Sequence, residues 1–204
     1  MPDKLTIHVI EDDDSMRESL VGLLSGLEFD VHGYPSATDY LAQGAFVEPG
    51  CIVSDVRMPE MDGIALCRKL REKHCTLPLI LMTAHADVSM AVEAMKAGAV
   101  DFLEKPFDAQ ALLQAVQLAS TRRFNRRTGD DQSAEAARQL QQLTAREKEV
   151  LANLVAGESN KSAAIKLGLS PRTVEFHRAH LMEKLGVKAL PDLVRLWLAA
   201  HPER

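Results

Sequence analysis

Along residues 1–121 the chain alternates between two hydrophobic periods. Short apolar runs, rich in β-branched residues, occur at about 5–10, 29–32, 51–54, 79–82 and 100–103. Between and after them, apolar residues recur at helical spacing over about 15–27, 36–43, 63–73, 88–97 and 109–120. Five strand-then-helix repeats predict a doubly wound parallel sheet covered on both faces, with right-handed crossovers. In such sheets ligands bind beyond the carboxyl ends of the strands, where the strand order switches. Residues 122–142 break the pattern. RRFNRRTGDDQSAEAARQLQQ is polar and nearly free of large apolar residues, so it reads as a linker, with helix formers in its last eight positions. From 143 to 204 the periodicity is helical throughout, interrupted at Gly157, Gly168–Ser170 and Gly186. The expected architecture is α/β plus all-α: a five-fold βα domain over 1–121, a linker over 122–142 and a four-helix domain over 143–204.

Charge sharpens that division. Residues 1–121 hold 9 Lys+Arg against 19 Asp+Glu, whereas 139–204 hold 10 against 7. An acidic front half is unsuited to nucleic acid and a mildly basic rear half is suited to it, a contrast hidden in the whole-chain charge of −5. No apolar run approaches the roughly 20 residues of a membrane helix, and the N-terminus lacks the basic start and long apolar stretch of a signal peptide. A cytoplasmic protein with no membrane partner is expected. The three cysteines, Cys51, Cys67 and Cys75, form no CxxC pair and read as incidental thiols.

Candidate chemistry lies at the strand ends. Glu11 and Asp12 follow the first strand, Asp55 follows the third, Thr83 ends the fourth and Lys105 follows the fifth. In a doubly wound sheet these ends are neighbours. Three converging carboxylates repel one another unless a cation joins them. Hard oxygen ligands suit Mg²⁺, which favours a few carboxylates together with phosphate oxygens. A carboxylate nucleophile with a metal, an ammonium and a hydroxyl around it is the set that phosphoryl transfer to a carboxylate needs. Asp55, on the middle strand, is the expected acceptor. Asp13 and Asp14 extend the acidic run and leave its register open by one residue.

In the rear half, four helices are predicted at about 145–156, 159–167, 170–185 and 190–199. Thr144 with Glu147 three residues later forms a capping box, and Ser170 followed by Pro171 opens the third helix. A short glycine-containing turn between the second and third is the mark of a helix-turn-helix. In the third, Val174, Leu181 and Leu185 form a core stripe. Arg172, Glu175, Phe176, Arg178, Ala179 and Lys184 lie on the other face, as in a helix that enters the major groove.

These segments resemble a known family. VIEDDDSMR, VSDVRMPEMDG, MTAHAD and AMKAGAVDFLEKPF, in that order over about 120 residues, are similar to the signature blocks of response-regulator receiver domains, whose fold is flavodoxin-like. The stretch LTAREKEVLANLVAGESNKSAAIKLGLSPRTVEFHRAHLMEKLGV resembles the LuxR-type helix-turn-helix. Receiver plus LuxR-type domain is the arrangement of the NarL/FixJ family, and the receiver blocks are similar to its FixJ branch in particular. The resemblance implies that Asp55 is the phosphoacceptor, with Thr83 and Lys105 holding the phosphoryl group. It implies that Glu11, Asp12, Asp55 and the Arg57 backbone carbonyl bind Mg²⁺, and that Phe102 and Thr83 act as the switch pair. His85 is expected to line the rim. For DNA, it implies base contacts by Glu175, Phe176 and Ala179 and backbone contacts by Lys161, Arg172, Arg178 and Lys184. A cognate histidine kinase, promoter DNA and RNA polymerase are the implied partners. Homodimers are expected on phosphorylation, through a face containing Val88, Val92, Met95 and Lys96, and the expected outcome is activation of transcription. Two departures stand out: Glu11 replaces a common aspartate, and Phe176 is bulkier than many residues at its position. A rival reading, a Mg²⁺-dependent phosphatase passing through an aspartyl-phosphate, calls for a second aspartate two residues after the nucleophile, where this chain has Arg57. A receiver that no longer takes phosphate is a third, which the intact Asp55, Thr83 and Lys105 disfavour.

Overall fold

A computed structural model describes residues 4–27, 29–44, 50–84, 87–122 and 129–201. The chain forms two compact units: residues 1–85 together with 97–125 make up the first, and residues 86–96 together with 126–204 the second.

In the first unit, five strands form one parallel sheet. They are β1 (Thr6–Ile10), β2 (Asp30–Tyr34), β3 (Gly50–Asp55), β4 (Leu79–Thr83) and β5 (Asp101–Glu104), in the order β2-β1-β3-β4-β5. The order turns back on itself between β1 and β3, the switch point at which such sheets bind ligands. The register sets Ile10 beside Ser54, Asp55 beside Met82 and Thr83 beside Glu104, so the ends of β1, β3, β4 and β5 converge. Every residue of β1, β3 and β4 is buried, as expected of strands covered on both faces.

Helices α1 (Asp14–Ser25) and α5 (Ala109–Arg122) cover one face. There Leu20, Leu24, Leu112 and Val116 pack on Ile7, Val9, Val53, Ile80 and Met82. Helices α2 (Ala37–Gln43) and α3 (Gly63–Glu72) cover the other. Each start has a local cause: Asp13, Ser36 and Asp62 accept hydrogen bonds from the backbone N–H groups of Met16, Asp39 and Ala65. Helix α1 ends at Ser25, with Gly26 as its cap, two residues before its apolar pattern ends. Cys51 and Cys67 are buried and Cys75 half-buried. Burial pushes the Cys51 thiol up to about 12 and that of Cys67 to about 11, as befits inert core thiols.

The second unit contains α4 (Val88–Ala97), apart from its last residue, and five further helices. These are α6 (Gly129–Gln141), α7 (Ala145–Val155), α8 (Asn160–Leu167), α9 (Pro171–Leu185) and α10 (Leu190–Ala200). Thr144 and Glu147 form the expected capping box at the start of α7. Gly168 and Gly186 close α8 and α9 in the left-handed conformation, at φ 63° and 66°, which glycine adopts without steric cost. Val174, Leu181 and Leu185 face the core as the stripe predicts. Helix α6 starts at Gly129, further upstream than its helix formers alone suggest. Among the described residues no helix is long and apolar enough to cross a membrane.

Candidate functional site

Glu11 leaves the end of β1 and Asp55 ends β3, so both carboxylates arrive at one rim; both are buried, Glu11 with only 3% of its surface exposed. Between them lies the Lys105 ammonium. It donates to Glu11 Oε2 at 2.7 Å and to Asp55 Oδ1 at 2.5 Å. Its backbone N–H donates to the Thr83 carbonyl at 2.7 Å, which ties the loop after β5 to the end of β4. The other Asp55 oxygen, Oδ2, accepts from the Arg57 N–H at 2.6 Å. Asp55 therefore has both oxygens held, one by a cation and one by an amide.

Electrostatics follow from that burial. Desolvation pushes the Glu11 carboxyl above its usual range, against the pull of Lys105. For Lys105, burial would lower the value, but hydrogen bonds to Asp55 and Glu11 outweigh it and the ammonium is held more firmly charged. One ammonium thus offsets part of the repulsion between two carboxylates, the task foreseen for a cation at this rim.

The acidic run is divided between the rim and the helix that follows it. Asp13 Oδ1 caps α1 by accepting from the Met16 N–H at 2.7 Å, and Asp14 pairs with Arg17. Those two serve the helix N-terminus, and Arg17 also donates to the Glu11 carbonyl at 2.8 Å. Glu11 and Asp12 are left for the rim; Asp12 is exposed. The donors fit a hard cation in kind, being carboxylate oxygens on adjacent strand ends. Among the described residues, no three His, Cys, Asp or Glu side chains are gathered closely enough to hold a metal ion by themselves. Thr83 is buried at the end of β4, and Phe102, on β5 beside Leu81, is also buried. The Arg57 side chain is exposed. His85 lies outside the described residues.

Sequence reasoning missed Gly63. A β-carbon there would lie 2.4 Å from the Asp55 carbonyl oxygen and 2.7 Å from Leu81 Cδ2. The first turn of α3 presses directly on the backbone of β3 at Asp55, and the Gly63 N–H donates to the Val56 carbonyl at 2.9 Å. The pair Asp62–Gly63, a cap followed by the smallest residue, was the available signal.

On the second unit, Lys161, Arg172, Glu175, Phe176 and Ala179 are exposed and Arg178 is half-buried. Lys184 differs from what its position suggested. Its ammonium donates to both oxygens of the buried Glu147 at 2.8 Å, joining α9 to the capping box of α7. Of the residues expected on a dimer face, Val92 and Met95 are buried, at 3% and 4% exposure, Val88 is half-buried and Lys96 is exposed. The first two therefore form no open surface in this structure.

Known proteins give the same picture. The model of the response regulator receiver domain matches residues 7–117. That of the bacterial regulatory proteins of the luxR family matches residues 141–197. The chain is 45% identical over 200 residues to the transcriptional regulatory protein FixJ of Azorhizobium caulinodans, covering 98% of this chain and 95% of that one. It is 44% identical over 194 residues to FixJ of Rhizobium meliloti, covering 95% of each. The crystal structure of full-length FixJ from B. japonicum superposes with a TM-score of 0.57 at 40% identity, over 98% of this chain and 99% of that one.

Sheet, rim and helix-turn-helix together define a two-component response regulator, a transcription regulator with a receiver and a LuxR-type DNA-binding domain. Within that class the chain belongs to the NarL/FixJ family, on its FixJ branch. Such a protein is not a classical enzyme; its class implies a histidine kinase as partner and DNA as target, and receiver domains generally bind Mg²⁺ at the acidic phosphorylation site.

Proposed function

We propose that Asp55 accepts a phosphoryl group from a histidine kinase and that this acceptance governs DNA binding by α8 and α9. The observation that carries the reading is the bridge from Lys105 to Asp55 and Glu11. It gathers two buried carboxylates and a fixed positive charge on one rim, which supports Asp55 as the nucleophile. In the transfer, an Asp55 oxygen forms the new bond to phosphorus, the bond from phosphorus to the donor imidazole nitrogen breaks, and the imidazole leaves with its electron pair. Lys105 neutralises charge on the transferred oxygens, and the Arg57 N–H orients the acceptor carboxylate.

Mg²⁺ would be held by Glu11, Asp12, Asp55 and the Arg57 carbonyl, and when bound it supplies positive charge to the phosphoryl oxygens. Thr83 then turns to the new phosphate and Phe102 follows it, shifting a two-state equilibrium. The receiver occupies 1–121, the linker 122–142 and the DNA-binding domain 143–204. The phosphorylated chain forms a homodimer through the α4–β5 face with Val88, Val92, Met95 and Lys96. It sets two copies of α9 in successive major grooves and activates transcription with RNA polymerase, in the cytoplasm. Glu175, Phe176 and Ala179 face bases, while Lys161, Arg172 and Arg178 contact phosphates. The Lys184 ammonium is committed to Glu147, so we place it outside the phosphate contacts.

Labelling with acetyl phosphate and Mg²⁺ tests the centre of this reading. Wild type takes up one phosphoryl group per chain, Asp55→Asn takes up none, and a chelator stops the labelling. Wild-type labelling of Asp55→Asn moves the acceptor elsewhere.

A further inference from the structure

Phe176 is the most exposed large aromatic side chain described, with 57% of its surface open on the outer face of α9. Its ring is not isolated. The His180 ring, one helical turn on, lies with its centroid 4.3 Å away and its plane tilted by 35°. The His177 ring stands edge-on at 5.8 Å and 73°. Side chains on a helix lean toward its N-terminus, so His180 reaches back over Phe176. Val174 and Leu181 turn to the core, which leaves the Phe176–His180 pair on the face away from it.

We propose that Phe176 and His180 act as one reading unit, in which the Phe176 ring meets the C5-methyl group of a thymine in the major groove and His180 holds that ring in position. The inference rests on the DNA-binding reading and deepens it. A phenyl ring has no hydrogen-bond donor or acceptor, so it cannot answer the polar groups of guanine, cytosine or adenine. Thymine alone offers a methyl group in the major groove, and apolar contact is how that group is read. Ser170 and Pro171 fix where α9 begins, which places Phe176 in its second turn, among the N-terminal residues that reach base edges in a helix-turn-helix. A ring held by a neighbour also loses less freedom on binding than one that rotates freely. His180 is thus a positioning residue, acting through Phe176.

The test uses the full-length protein activated with beryllofluoride and Mg²⁺. Selection from a randomised duplex library first gives the preferred site. Each thymine of that site is then replaced by uracil, which lacks only the methyl. At one base pair per half-site, uracil should weaken wild-type binding about fourfold, the worth of one buried methyl. Phe176→Ala should bind both forms equally. His180→Ala should lose most of the discrimination at the same base pair, His180→Phe should restore it, and the double alanine variant should be no worse there than Phe176→Ala. Both side chains are exposed, so thermal melting of the variants should match wild type.

Retention of full thymine-over-uracil discrimination by His180→Ala overturns the proposal. So does a changed preference at a different base pair, which would mean that His180 reads a base itself. A uniform loss on all sequences with a smaller salt slope would make His180 a phosphate contact and equally overturn it. If wild type selects no sequence at all, the DNA-binding reading fails and takes this inference with it; if it selects a site without methyl dependence, only the inference fails.

Discussion

Glu147 is a buried carboxylate held by three groups: the Thr144 amide at 2.8 Å, the Thr144 hydroxyl at 3.0 Å and the Lys184 ammonium at 2.8 Å. Lys184 is the largest influence and, with the Thr144 amide, brings the carboxyl down to about 2. The stability this confers is present above the ordinary carboxylate range and is lost as pH falls through that value. Lys184→Ala should therefore cost about 1–3 kcal/mol in denaturant unfolding, the price of stranding a buried hydrogen-bonding group, while leaving the salt slope of DNA binding unchanged. Arg172→Ala should do the reverse, with little change in unfolding and a slope smaller by about 1. A lower slope with unchanged stability for Lys184→Ala would return that lysine to the DNA. The sequence pattern showed an exposed lysine near the last turn of a helix; its partner, 37 residues earlier, became visible only once the two helices were packed. His8 was hidden for a similar reason. It sits in β1 where the strand is buried on both faces, and its neighbours come from β2 and α2. Nδ1 lies 3.2 Å from the Tyr34 hydroxyl, His32 and Tyr40 lie against the ring, and Nε2 has no hydrogen-bond partner among the described residues. Burial first, and the charge of His32 second, hold His8 near 4, against a smaller opposing pull from Asp30. The folded state then binds fewer protons than the unfolded chain between about 6.5 and about 4, so stability falls as pH falls through that window. Urea unfolding at pH 7 and pH 5 should show the loss in wild type and a clearly smaller one in His8→Phe. An equal loss in both would assign the acid sensitivity to other groups.

Among the secondary-structure elements, α3 presses on the end of β3 through its first residue, Gly63. Its first residue has no side chain because the Asp55 carbonyl and Leu81 occupy the space one would need. Gly63→Ala forces either α3 or the end of β3 to shift, at a cost of about 1–3 kcal/mol for an overpacked site. Because the shift falls on the backbone of Asp55, the rate of labelling by acetyl phosphate should drop more than stability alone explains. Full-rate labelling in a chain that still folds would show that the strand end yields without moving the carboxylate. The described strands and helices lie where periodicity and caps put them, most within a few residues, with the early start of α6 the main exception. Alternation between two periods is a local property, and Asp13, Ser36, Thr144 and Ser170 cap helices through bonds that span only three residues. Strand order is not local, because it depends on which crossover packs on which face. The convergence of Glu11, Asp55 and Lys105 was legible only by assuming a switch point, an assumption that came from the doubly wound class of sheet and from no single residue.

At the scale of the whole molecule, the division into compact units differs from the division into repeats. The βα pattern assigns residues 88–97 to the sheet domain, while in the folded chain residues 86–96 belong to the same compact unit as 126–204. No local pattern reports this, since the apolar positions of an amphipathic helix state that it is covered and not by what. Val92 and Met95 are buried, so any dimer built on them requires that they first be uncovered. Beryllofluoride with Mg²⁺ should speed amide hydrogen exchange in α4 and yield heavier species in sedimentation, with both changes absent in Asp55→Asn. Dimers that form while α4 keeps its protection would place the interface elsewhere.

The strand order also determines which backbone is left at the margin of the sheet. β2 borders β1 alone, so one side of it has no described strand beside it. Such a margin can recruit a strand from another chain, the first step of edge-to-edge aggregation. Here it carries exposed Asp30, His32 and Gly33, with the His32 ring 3.3 Å from the Asp30 carboxylate, where β1, β3 and β4 are buried along their whole length. A charged residue, a titratable ring and a glycine make a poor template for a further strand. A transcription regulator with an open parallel sheet thereby keeps its β2 margin from pairing with strands of other chains.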